Sequence, residues 1–172
     1  NNDYYRKKQV SSIERIDGGL GHNRIVGHSG SNYWDLTNVE ILNISTINGL
    51  GGNDEIKGSV GDDVIVGGGG QDTLNGSEGS DIYVINHGDG IDRIVDSGKS
   101  SDVDSVIFGS DFNFGLGLAK ENLWFSIRRG DLRIDIVGGK GAIIIPDWEV
   151  NDAKIELFIT QGDQLYKEQL PN

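Results

Sequence analysis

Residues 58–84 read GSVGDDVIVGGGGQDTLNGSEGSDIYV, and in them glycine, aspartate and one large apolar residue return in the same order every nine residues. Written as G-G-x-G-x-D-x-U-x, with U a large apolar residue, four units follow without a gap: 49–57, 58–66, 67–75 and 76–84. The sixth position is always aspartate (Asp54, Asp63, Asp72, Asp81), and the eighth is Ile56, Ile65, Leu74 or Tyr83. A period of this length marks a solenoid, in which each unit is too small to fold alone and buries its apolar face against its neighbours.

The frame extends in both directions. Upstream, 18–26 and 27–35 fit, with Asn23 and Asn32 in place of the aspartates; downstream, 87–95 fits with Asp92 and Ile94, after two extra residues. The apolar series runs Ile16, Ile25, Trp34, Ile47, Ile56, Ile65, Leu74, Tyr83, Ile94, and its steps are nine except for thirteen at 34–47 and eleven at 83–94. These two irregularities are expected to be a four-residue and a two-residue loop insertion in one continuous solenoid.

Local chemistry gives the shape of the unit. The residues x-U-x make a very short strand with U on one face. The six before them must turn sharply, and glycine supplies positive φ angles without steric cost. Two units then form one coil of 18 residues, and stacked coils form two parallel sheets with the U residues between them. The predicted fold is all-β: a parallel β-roll, or β-solenoid, of glycine-rich nonapeptides over 17–108, preceded by a flank at 1–16 and closed by an antiparallel β cap at 109–172.

In such a roll, residues one coil apart are neighbours at about 4.8 Å. Asp54 then sits over Asp72, and Asp63 over Asp81. Carboxylates held that close repel one another unless a cation lies between them. Glycine-rich turns expose backbone carbonyls into the same gap, and an oxygen-only cage suits calcium, which takes about 6–8 oxygens, better than zinc or copper. Asp54/Asp72 and Asp63/Asp81 rank first as sites, followed by Asp72/Asp92. Asn32/Asp54 is expected to be weak or empty, Asp81/Asp104 to be a terminal site, and Asn23/Ser45 to hold no strong site. About three to five calcium ions are expected in all.

Composition agrees. The 172 residues include 27 glycines against two prolines. Between Gly49 and Asp104, twelve Asp/Glu face three Lys/Arg, which accounts for −9 of the net charge of −12. A segment so poor in apolar side chains and so rich in like charge is disordered without help. The acidic balance argues against nucleic acid and anionic membranes as partners. No run approaches a transmembrane span of about 18 apolar residues. With no cysteine in the chain, disulfides and thiolate metal sites are excluded. The chain opens at Asn1 and contains no methionine, so it is expected to be part of something longer.

With these nonapeptides in view, the sequence resembles the RTX (hemolysin-type calcium-binding) repeat proteins over about 13–108. The stretches ENLWFSIRRGDLRIDIVGG and AIIIPDWEVNDAKIELFITQGDQL resemble the β-rich segment that often follows such repeats in secreted toxins and other large exoproteins. The resemblance implies a roll unfolded at low cytosolic calcium, exported through a type I secretion apparatus, and folded outside the cell or at its surface as part of a toxin or adhesin. It also implies carbonyl ligands at Gly49, Gly51, Gly58, Gly67, Gly69 and Gly76, together with Val60, Glu78, Gly88 and Gly90 in the equivalent turns. A host cell surface or glycan would be a further partner.

Beyond residue 106 the nine-residue period stops. Strands are expected near 123–127, 132–137, 142–145 and 155–159, with a hairpin turn at 128–131 and a Gly-Gly-Lys-Gly turn at 138–141. Trp124, Phe125, Trp148, Leu157 and Phe158 are expected to form an aromatic core, making this segment a cap on the last coil from which the coils nucleate. Tyr33, Trp34 and Tyr83 are read as core, and the charged knot Arg6-Lys7-Lys8 as cover for the first coil. Arg129-Gly130-Asp131 spells an integrin-type tripeptide but reads as the hairpin turn. His22, His28 and His87 fall in turns and are read as surface residues. The chain lacks a cysteine nucleophile, a G-x-S-x-G elbow and an H-E-x-x-H helix, so no catalytic role is expected. The alternatives are a carbohydrate-binding or surface-binding module with calcium as scaffold, and the accessory domain of a secreted enzyme.

Overall fold

The computed structural model describes residues 13–99, 101–109, 118–139, 141–148 and 155–170. The U residues lie on strands as their alternation predicts, and one further strand, β4, arises in the first insertion: β1 (Arg15–Asp17), β2 (Asn23–Val26), β3 (Tyr33–Asp35), β4 (Glu40–Leu42), β5 (Ile44–Asn48), β6 (Glu55–Lys57), β7 (Val64–Val66), β8 (Thr73–Asn75), β9 (Ile82–Ile85) and β10 (Ile91–Ile94). The chain continues through β11 (Asp104–Phe108), β12 (Leu123–Arg128), β13 (Asp131–Ile136), β14 (Gly141–Ile145), β15 (Ile155–Thr160) and β16 (Asp163–Tyr166).

Alternate strands stack into two sheets, in the orders β2-β5-β7-β9-β11-β15-β16 and β3-β6-β8-β10-β14-β13-β12. Within the roll all pairings are parallel and the U residues are in register. Ile25, Ile47, Ile65, Tyr83 and Val106 form one column; Trp34, Ile56, Leu74 and Ile94 form the other. From Ile47 onward, every residue of both columns is at most 1% exposed. One Ile or Leu buried per nine residues contributes only about 1.5–3 kcal/mol, so the apolar core of each coil is thin.

Two expectations about the N-terminal half are corrected. The insertion between Trp34 and Ile47 is more than a loop, because it contains β4, which pairs in parallel with β1 through Ile16 and Ile41. Ile16 therefore belongs to a separate two-stranded sheet. Tyr33 is 48% exposed, because strand alternation turns it outward while Trp34 packs inward. The Arg6-Lys7-Lys8 knot lies outside the described residues.

The cap pairs antiparallel within itself, as β12–β13–β14 and β15–β16. It is attached to the roll by two parallel pairings, β14 on β10 and β15 on β11, so its strands add one more coil beyond the nonapeptides. Phe158 stacks on Phe108 at 6.5 Å and meets Phe125 and Trp148 edge-on at 6.3 and 6.1 Å. Trp124 was expected in this core but is 67% exposed, since it alternates with the inward Leu123 and Phe125. Leu157 is only half-buried. Arg129 and Gly130 form the hairpin turn with φ of 57° and 88°, the left-handed pair that a two-residue turn requires.

Candidate metal centre

The aspartates at the sixth position line up along the turn edges as two hydrogen-bonded ladders. In each, the backbone N–H of one residue donates to Oδ1 of the aspartate one coil further on. The first ladder runs Asn32 to Asp54 at 2.6 Å, Asp54 to Asp72 at 2.8 Å and Asp72 to Asp92 at 3.0 Å. The second runs Asp63 to Asp81 at 2.8 Å and Asp81 to Asp104 at 2.8 Å, and ends with Asp104 donating to Glu156 Oε2 at 2.8 Å. All the pairings ranked from the sequence are brought together, including those across both insertions.

The remaining carboxylate oxygens point to a ligand. Oδ2 of Asp54, Asp72, Asp81 and Asp104 is buried with no hydrogen-bond partner among the described residues, and burying an ionised oxygen unpaired is costly. The surrounding turns also converge oxygens. A Cβ added at Gly49 would strike the Asp54 carboxylate and lie 2.6 Å from the Gly67 carbonyl oxygen; one at Gly58 would lie 2.5 Å from Gly76 O and 2.6 Å from Asp63 Oδ2. Glycine at the first turn position is thus required by the packing of carboxylate and carbonyl oxygens, a donor set that fits a hard cation.

Comparison with known families meets this geometry. The chain matches the family described as RTX calcium-binding nonapeptide repeat (4 copies) over residues 11–33 and 48–83. The chain carries RTX calcium-binding repeats. The match is interrupted where β4 is inserted into the RTX roll. No curated protein matches the chain.

The N-terminal RTX turns depart from the rest in their chemistry. Asn32, ranked from the sequence as a weak ligand, acts as a donor: its amide nitrogen donates to Asp54 Oδ1 at 2.8 Å, Gly30 O at 2.9 Å and Gly49 O at 3.1 Å. Asn23 donates likewise to the carbonyls of Leu20 and Asn43, at 3.4 and 3.3 Å.

Of the carbonyl positions, Gly51 and Gly69 bridge each other, and Gly69 O accepts the Gly52 N–H at 2.8 Å. Gly90 O accepts the Ala142 N–H of the cap at 2.8 Å. Val60 and Gly88 are exposed turn residues. The Glu78 side chain is exposed and pairs with Lys99 at 2.6 Å. His22, His28 and His87 are exposed.

Electrostatics follow from the stacking. Burial pushes Asp72 up to about 6, Asp81 and Asp92 to about 7 and Asp104 to about 8. Like-charged ladder neighbours add to the rise, while each donated N–H opposes it. Asp63 and Glu156 are also raised, again chiefly by burial.

Sequence reasoning missed Asp96 and Glu156. One oxygen from each of Asp81, Asp96 and Asp104 lies within 4.8 Å of the others. Asp96 falls where the repeat calls for glycine, and Glu156 lies 52 residues beyond its ladder partner, so the nine-residue frame points to neither. Among the described residues no helix is long and apolar enough to cross a membrane.

Proposed function

We propose that this chain is a calcium-binding module of a large secreted protein, a toxin or an adhesin. In this reading it is disordered at low calcium and folds on calcium binding after leaving the cell through a type I secretion apparatus. The observation that carries the calcium part is the set of buried, partnerless Oδ2 atoms on Asp54, Asp72, Asp81 and Asp104. Those atoms, Asp63 and Asp92, and the carbonyls of Gly49, Gly58, Gly67 and Gly76 would hold about three to five ions between coils. The calcium supplies positive charge that discharges the carboxylate stack. The amide of Asn32 serves the same purpose in the coil that lacks a carboxylate.

The switch follows from magnitudes. Extracellular calcium modules work at about 10⁻⁴–10⁻³ M, and each independent ion stabilises the folded state by RT ln(1 + [L]/Kd). Several modest sites together then hold a fold whose core is one side chain thick. The module is not an enzyme in this reading. The resemblance of its repeats to those of exported proteins supports the secretion step.

Circular dichroism and calorimetry on the chain titrated with calcium test the proposal. Disorder in chelator and a cooperative gain of β signal at millimolar calcium are expected. A chain already folded in chelator would overturn the switch, and absence of calcium uptake would overturn the sites.

One observation favours a second reading. Trp124 stands 67% exposed on the cap, available to stack on a sugar ring, as a glycan-binding module requires. Glycan-array binding abolished by Trp124→Ala, with the fold retained in calcium, would support that role.

A further inference from the structure

The last turn of the second ladder contains a carboxylate that the nonapeptide does not supply. Ile94 is aligned with Leu74, so Asp96, two residues on, occupies the place that Gly76 holds one coil earlier. Its carboxylate comes within 4.8 Å of oxygens from Asp81 and Asp104. Asp81 and Asp104 are 0% and 1% exposed. Each commits Oδ1 to a ladder N–H and leaves Oδ2 buried with no partner among the described residues. Three carboxylates meet here, whereas a pair of ladder neighbours brings two.

Asp96 is held from the core side. The Tyr83 hydroxyl donates to Asp96 Oδ1 at 2.7 Å and accepts the Gly76 N–H at 2.6 Å, while the Gly98 N–H donates to Asp96 Oδ2 at 3.1 Å. Tyr83 takes a core position filled by Ile or Leu in the three units before it, and a buried phenol needs partners for its hydroxyl. Those partners lie in the turn, so the side chain spans from the inter-sheet core to the carboxylate cluster.

We infer that Asp96 joins Asp81 and Asp104 as a third carboxylate in the calcium site at the end of the second ladder, that this site fills before the others, and that Tyr83 is its positioning residue. The inference rests on the calcium reading of the roll proposed above. Affinity at all-oxygen sites rises with the number of charged ligands and with site rigidity; this site has one more carboxylate than a ladder pair, and a hydrogen bond that fixes its rotamer. It also lies directly beneath the cap, through the Asp104 to Glu156 bond.

Calorimetric calcium titration of the full chain, with Asp96→Asn and Tyr83→Phe as variants, tests the inference. Asp96→Asn should bind one calcium fewer and lose the tightest step. Tyr83→Phe should keep the ion count but move that step to about tenfold higher calcium, the usual effect of removing an outer partner of a ligand, with the later steps unmoved. Circular dichroism at saturating calcium verifies folding, and if Asp96→Asn does not fold, Tyr83→Phe decides. An unchanged count and first step in Asp96→Asn, or an unmoved first step in Tyr83→Phe, would overturn the site. Absence of uptake by the unaltered chain would instead refute the calcium reading as a whole.

Discussion

Asp104 donates its backbone N–H to Glu156 Oε2 at 2.8 Å, so the second ladder ends on a residue of the cap. The pairing of β11 with β15 is irregular at this point, with Asp104 opposite Ile155 and Ser105 opposite Leu157. Glu156 is the extra residue of that bulge, and bulges re-aim side chains. The cap thus extends both the sheets and the carboxylate ladder by one coil.

Glu156→Ala should therefore loosen the joint between roll and cap. A hydrogen bond to a charged acceptor contributes about 1.5–3 kcal/mol, and urea unfolding in saturating calcium should show a loss in that range. Glu156→Gln keeps an acceptor and should recover most of it. Equal losses in the two variants would mean that the bond to Asp104 does not couple the cap to the roll.

Acid should favour the metal-free roll. Burial raises Asp72 to about 6, Asp81 and Asp92 to about 7 and Asp104 to about 8 from an ordinary value of 3.8, so between those limits the folded chain binds more protons than the unfolded one. Stability then falls as pH rises through the raised values. In chelator, β circular dichroism should be stronger at pH 5 than at pH 8. Because protons and calcium compete for the same oxygens, the calcium needed for half-saturation should rise as pH drops from 8 to 6. A metal-free signal that grows with pH would contradict this.

The roll was legible in the sequence because one short-range rule, the nine-residue return of Asp and U, fixes strand, turn and register together. Ile56 over Leu74 and Asp63 over Asp81 follow from counting. Where the period breaks, counting gives only the length of the insertion. That β4 pairs with β1, that β14 pairs with β10, and that Phe158 continues the column beyond Val106, depends on contacts far apart in sequence. Asp96 and Glu156 were missed for the same reason: their partners are set by the fold, since neither keeps the spacing.

Backbone strain gives a third test. At the second turn position Gly68 has φ 92°, and Leu50 adopts a similar 76°, a region that costs an L-residue about 1–2 kcal/mol. Leu50 is exposed, so Leu50→Gly should stabilise the calcium-loaded roll by somewhat under 1 kcal/mol after the added freedom of the unfolded chain is counted. Gly70→Ala should do the opposite. Gly70 has φ 150°, a new methyl would strike the Gly52 carbonyl oxygen, and Gly70 is fixed by its bridge to Gly90. A loss of about 3 kcal/mol or more is expected, since overpacking and backbone strain combine there. Thermal unfolding of both variants in calcium measures these effects, and a destabilised Leu50→Gly would count against the strain argument.

The chain already contains an experiment on charge within its first ladder. At Asn32 an amide stands where the other ladder positions carry a carboxylate, and it donates to Asp54 Oδ1 and Gly49 O. Asp63→Asn combined with Asp72→Asn should extend that arrangement into the charged coils. Removing two stacked charges lowers the repulsion that opposes closing the metal-free roll, so the double variant should show more β signal in chelator than the parent. It should also take up fewer calcium ions, because the ladder oxygens lose formal charge and meet amide donors. The calcium-induced gain in β signal should shrink from both ends. If uptake is undiminished, the ladder carboxylates are not ligands; if the metal-free signal does not rise, mutual repulsion is not what keeps the roll open.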